Sequence, residues 1–86
     1  MRIYVLSTLA TIKGGVEARS PELRIAGHGR DEKQALESLR RGVSAWCEGL
    51  QRAGGLERVL EQRGLRHDGD GDELSVLVAA SDGDIL

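Results

Sequence analysis

One stretch of this chain, Asp31 to Gly55, narrows the possible folds more than any other. Leu36, Leu39, Val43, Trp46 and Leu50 recur at alternating steps of three and four. That spacing places all five on one stripe of an α-helix. Asp31 has the chemistry of an N-cap, and Gln34 stands where a capping-box side chain reaches back. Gly54 or Gly55 supplies the left-handed residue that ends a helix. Glu37 with Arg41, and Glu48 with Arg52, are spaced as i,i+4 ion pairs and mark the wet face, each pair contributing about 0.3 kcal/mol. Gly42 is the weak interior position, costing about 1 kcal/mol relative to alanine. A helix striped in this way needs an apolar surface to cover, and the rest of the chain must provide it.

The flanking segments read as strands. Arg2 to Ile12 alternates, with Ile3, Val5, Ser7 and Leu9 on one side and Tyr4, Leu6, Thr8, Ala10 and Ile12 on the other. Both sides are largely apolar, which predicts a central strand. Lys13-Gly14-Gly15 predicts a tight turn and Val16–Arg19 an antiparallel return. Pro21 breaks the ladder. Arg24–His28 reads as a short third strand, loosened by Gly27 and Gly29. After the long helix, Leu56–Arg63 has apolar residues at i, i+3 and i+4 and stops at Gly64, which predicts a two-turn helix. Leu65–Glu73 reads as a turn-rich polar run, Leu74–Ala79 as a last strand, and residues 81–86 as a frayed tail. The order β-β-β-α-α-β predicts an α+β two-layer sandwich, a mainly antiparallel sheet with a long helix across one face. With 86 residues, one domain is expected over residues 1–86. A core this small makes a homodimer or higher homo-oligomer an ordinary way to bury more surface.

The formal net charge of −2 argues against a dedicated nucleic-acid surface. A single cysteine excludes a disulfide framework and a cysteine-based metal site. No apolar run suits a signal peptide or a membrane span, so the expected compartment is the cytoplasm. Asp68, Asp70 and Asp72 stand at the first, third and fifth positions of a calcium loop. Glu73 stands where that loop needs glycine and Ala79 where it needs glutamate, so a solvated turn is expected. His28 and His67 have no partner at ligand spacing. Cys47 has no base nearby in sequence and reads as a half-buried, inert thiol. There is no phosphate-binding glycine loop and no Ser-His-Asp arrangement. The residues therefore predict no catalytic site, no metal and no cofactor. Trp46 is expected to anchor the core, with a dimer seam the alternative. Trp46 and Leu50 are the residues expected at an oligomer interface.

Gly14-Gly15 and Val16, then Pro21-Glu22-Leu23, then Gly29, Asp31, Ala35-Leu36 and Leu39 follow one another in a recurring order. In this respect the segment from Gly14 to Ala45 resembles the HicB antitoxin family. The resemblance implies a partial RNase H-like fold without the acidic cluster of the nuclease. It also implies a partner, a small basic mRNA endonuclease of the HicA type, blocked sterically and electrostatically. Family members self-associate. They commonly continue Pro-Glu-Leu-Pro-Gly-Cys, whereas this chain has Pro21-Glu22-Leu23-Arg24-Ile25-Ala26. Full-length relatives carry a C-terminal DNA-binding domain for which a chain ending at Leu86 has no room, so no DNA binding is expected of this chain alone. The expected function is non-catalytic protein binding, with Glu17, Glu22, Leu23, Arg24 and His28 as partner-binding residues. The alternatives are an orphan homo-oligomeric scaffold or regulatory module without a toxin, and a degenerate RNA-binding domain.

Overall fold

A computed structural model describes residues 1–69, 71 and 73–80. Seven elements follow in order: β1 (Arg2–Ile12), β2 (Gly15–Ser20), β3 (Ile25–Gly29), α1 (Glu32–Ala53), α2 (Leu56–Gln62), β4 (Arg66–Asp68) and β5 (Ser75–Ala80). They form the expected α+β two-layer sandwich. β1 is the hub of a five-stranded sheet. Its C-terminal half pairs antiparallel with β2, Leu9 opposite Ala18, and β2 pairs antiparallel with β3, Ala18 opposite Gly27. Its N-terminal half pairs antiparallel with β4 and parallel with β5, Ile3 standing opposite both His67 and Val76. Those two strands therefore occupy opposite edges of β1.

One strand was not legible as such. Arg66–Asp68 lies in the predicted polar turn, yet it is a three-residue strand. Its side chains carry no apolar alternation, and it forms because β1 offers it a ladder and Asp68 an ion pair. Asp70, Asp72 and the predicted tail at residues 81–86 lie outside the described residues.

Helix α1 begins and ends as its sequence dictates. Asp31 Oδ1 accepts from the Gln34 N–H at 2.8 Å. Gln34 Oε1 reaches back to the Arg30 N–H at 2.9 Å, one residue before the N-cap. At the other end Gly54 takes φ 82°, and the Gly55 N–H closes onto the Leu50 carbonyl at 3.0 Å. The face that is buried differs from the predicted stripe. Ala35, Leu39, Val43 and Cys47 are wholly buried, whereas Leu36, Trp46 and Leu50 are half-buried at the margin of the core.

The cause lies in β3. Cβ atoms built at Gly27 and Gly29 would run into the backbone of α1: Gly27 into Ala35 and Leu39, Gly29 into Gln34 and Ala35. Neither glycine has a positive φ, so they are there for space. They let the α1 backbone rest directly on β3. Small Ala35 fits that seam, and the bulkier Leu36 and Trp46 are displaced sideways. Gly27 and Gly29 therefore lock the strand to the helix, which reverses the loosening role read from the sequence. Ser38 completes the seam by accepting the His28 N–H at 3.2 Å.

Ile3 and Val5 from β1, Ala18, Leu23, the α1 stripe, Leu56 and Leu60 from α2, Leu65 and Val76 form one core. Two serines are buried with it. Ser7 Oγ donates to the Ala79 carbonyl at 3.3 Å, and Ser20 Oγ accepts from the Leu23 N–H at 3.4 Å. Neither hydroxyl is left without a partner, as burial requires. No helix among the described residues is long and apolar enough to cross a membrane.

Candidate functional site

Because both helices pack on one side, the other face of the sheet is left bare by the described residues. Alternation sends Tyr4, Leu6, Thr8 and Ala10 of β1 to that face, joined by Glu17 and Arg19, Ala26 and His28, Arg66 and Asp68, and Leu77 and Ala79. The sequence predicts a β1 covered on both sides. Instead Leu6 is 55% exposed and Leu77 44%. β1 is central in the hydrogen-bonding direction only, and its second apolar side is exposed because the described residues place no second layer over it.

Two polar clusters flank this apolar strip. At one end Arg2 Nε donates to Asp68 Oδ1 at 2.8 Å and the Tyr4 hydroxyl to Asp68 Oδ2 at 3.1 Å. The Arg66 guanidinium carbon stands 5.3 Å from the centre of the Tyr4 ring. The hydrogen bond from Arg2 holds the Asp68 carboxyl below the ordinary range. At the other end Glu17 pairs across the strands with His28, Oε2 to Nε2 at 3.2 Å, and along β2 with Arg19 at 3.3 Å. Arg19 chiefly, with help from His28, lowers the Glu17 pKa.

Of the residues predicted to bind a partner, the structure brings Glu17 and His28 into contact. Arg24 lies close by: with Arg19, Pro21 and Ala26 it lines a hollow at the end of β2 and β3. Leu23 is placed elsewhere. Residues 21–24 form one tight turn, closed by the Arg24 N–H on the Ser20 carbonyl at 2.8 Å, and this turn rotates Leu23 inward until it is 7% exposed. It is a core residue of the chain rather than a surface contact. Glu22 stays exposed, but its carbonyl accepts from Arg63 at 3.1 Å, tying the turn to the end of α2. Trp46 and Leu50 are half-buried on α1, with part of each side chain still open to solvent.

Arg24 is unusual. Its φ of 58° makes it the one non-glycine residue in the left-handed region among those described, a conformation costing about 1–2 kcal/mol outside glycine. Its guanidinium makes no hydrogen bond or ion pair among the described residues, and the side chain is exposed. Arg19 and Leu6 complete this surface and escaped prediction. The available signal was the register across the Lys13-Gly14 turn, which sets Arg19 opposite Thr8.

The remaining reactive groups are quiet. Cys47 is wholly buried, deeper than the half-burial its helix position predicts, and burial pushes its thiol up to about 11. Among the described residues no three His, Cys, Asp or Glu side chains gather to hold a metal ion.

Comparison of the chain with models of known families, with curated proteins and with solved structures gives no match.

Proposed function

We propose that this protein is a non-catalytic protein-binding domain, an antitoxin-like inhibitor of a small basic endonuclease of the HicA type. The observation that carries the reading is Arg24. A guanidinium without a partner among the described residues is held at a strained backbone position beside a hollow, next to a sheet face that none of those residues covers. Strain of this kind is tolerated where surrounding structure enforces it, and it concentrates at functional positions. Glu17 and Glu22 offer carboxylates to a basic partner, and Arg24 with Arg19 offers the opposite sign a few residues away. Mixed charge of this sort sets docking register and raises the association rate. The sequence resemblance over Gly14–Ala45 supplies the partner class.

The test is co-purification with the product of the adjacent open reading frame, together with rescue of growth when that product is toxic. Arg24→Glu and Glu17→Arg, both on exposed or partly exposed side chains, are expected to weaken binding at least tenfold, about the 1.4 kcal/mol of one lost charged contact. A neighbour that is neither small nor basic, with no rescue, would overturn the reading. The second reading, a homo-oligomeric module without a toxin, is favoured by one feature: the open edge of β5.

A further inference from the structure

We infer that β5 is a self-pairing edge, through which two copies of this chain join their sheets about a two-fold axis at Val78. The argument starts from which backbone groups point outward. Ser75 donates its N–H to the Met1 carbonyl at 3.0 Å, so Ser75 faces β1. Ladder groups alternate along a strand, so Leu77 and Ala79 also face β1, and the Ser7 hydroxyl duly finds the Ala79 carbonyl. Val76, Val78 and Ala80 then present their N–H and C=O groups to the opposite edge. No other strand among the described residues pairs there. No loop or side-chain hydrogen bond among them occupies those groups.

The two other outer strands are partly covered or short. β3 gives its His28 N–H to Ser38 of α1, and β4 is three residues long. β5 has neither protection. Its six residues, Ser-Val-Leu-Val-Ala-Ala, hold no charge and no proline, the devices that normally blunt an exposed edge. The same composition favours a second copy over a charged peptide, because self-pairing brings no like charges together. With the axis at Val78, Val76 faces Ala80 of the second copy and Val78 faces itself. These three opposed pairs, two hydrogen bonds each, use every outward N–H and C=O. Residues opposite each other share a face, so both helical layers stay on one side. On the bare side Leu77 meets Ala79 of the second copy, which extends the apolar strip across the junction.

Size sets the strength. A strip about 20 Å long and two layers of about 10 Å deep covers on the order of 400 Å² per copy, against the roughly 800 Å² of a standard interface. The dimer is therefore concentration-dependent, with dissociation in the micromolar range or weaker. It requires no toxin partner, so its failure and that of the inhibitor reading are separable.

Sedimentation equilibrium on the full chain from about 5 µM to about 1 mM, spanning weak-interface affinities, is expected to show the mass rising from one chain toward two. Hydrogen exchange at Val76, Val78 and Ala80 should slow about threefold or more at the high end, while Ser75, Leu77 and Ala79 are unchanged, because only the outward amides gain partners. Val78→Pro removes an outward N–H without touching the β1 ladder. Leu77→Lys sets two ammonium groups about 7–8 Å apart across the axis. Both variants are expected to remain monomeric with an unchanged circular dichroism spectrum. If Val78→Pro fails to fold, the exposed Leu77 position decides. A wild-type chain that stays monomeric throughout, or association that persists undiminished in Leu77→Lys, would overturn the inference.

Discussion

Replacing Gly27 with alanine tests the helix-on-strand seam directly. The added methyl would lie 2.7 Å from the Ala35 carbonyl oxygen and 2.8 Å from Leu39 Cα. Ordinary carbon contacts sit at about 3.5–4.0 Å and the Leu39 nitrogen is nearer still, so α1 must lift from β3 by about 1 Å at least. The obstructing atoms are backbone, so no rotamer change relieves the clash. A gap of that size forfeits a quarter to a half of each contact's attraction along the seam. Leu39 and Val43, both fully buried, lie on the lifted helix. Overpacking a core costs about 1–3 kcal/mol, and this backbone clash belongs at the upper end, near 3 kcal/mol. For a domain this small that is a large share of a total of roughly 4–13 kcal/mol. Urea unfolding followed by circular dichroism should show the midpoint falling by about 2 M, and thermal unfolding a drop of about 12–24 °C. Gly49→Ala is the control. Gly49 lies in the same helix with nothing within 4 Å of the added atom, and it is expected to stabilise by about 0.5–1 kcal/mol through helix propensity. Gly27→Ala within 1 kcal/mol of wild type would refute the close-approach argument.

Two further outcomes follow from local chemistry. Glu37 bonds Arg40 at 2.5 Å and reaches Arg41 at 3.5 Å, and Arg40 chiefly pulls its carboxyl down to about 2. A depressed carboxylate stabilises the fold above its unfolded pKa near 4.5, and that contribution is lost as pH falls through about 2. Carbon-13 titration should place the Glu37 midpoint near 2, and Glu37→Gln should flatten the acid limb of the stability curve; a midpoint above 4 would exclude the pair in solution. Asp31→Ala removes the N-cap bond to Gln34 and should cost about 1 kcal/mol in urea unfolding, with exchange protection lost first at Gln34 and Ala35.

All the elements except β4 were legible because each depends on neighbours in the chain. The alternation of Arg2–Ile12, the turn at Gly14, the cap at Asp31 and the left-handed stop at Gly54 are all set by chemistry within a few residues. The candidate site was legible in part. Glu17 meets His28 across the strands, whereas Arg24 lines a separate hollow with Arg19, Pro21 and Ala26. Leu23 turned inward because a hydrogen bond between Ser20 and Arg24 fixed the turn, which no spacing rule announces. Arg19 acquired its role from a register set across a hairpin.

Local sequence therefore determined where both helices and the other four strands lie, and the layered class that follows. Tertiary structure alone decided which side of the sheet is covered, how closely α1 rests on β3, that Arg66–Asp68 is a strand, and that β5 runs parallel to β1 with one edge open. Those features depend on groups distant in the chain meeting at fixed separations: Gly27 beneath Leu39, Arg2 against Asp68, Ile3 between His67 and Val76. A period in the sequence states what a residue faces within its own element. It carries no information about what arrives on the other side.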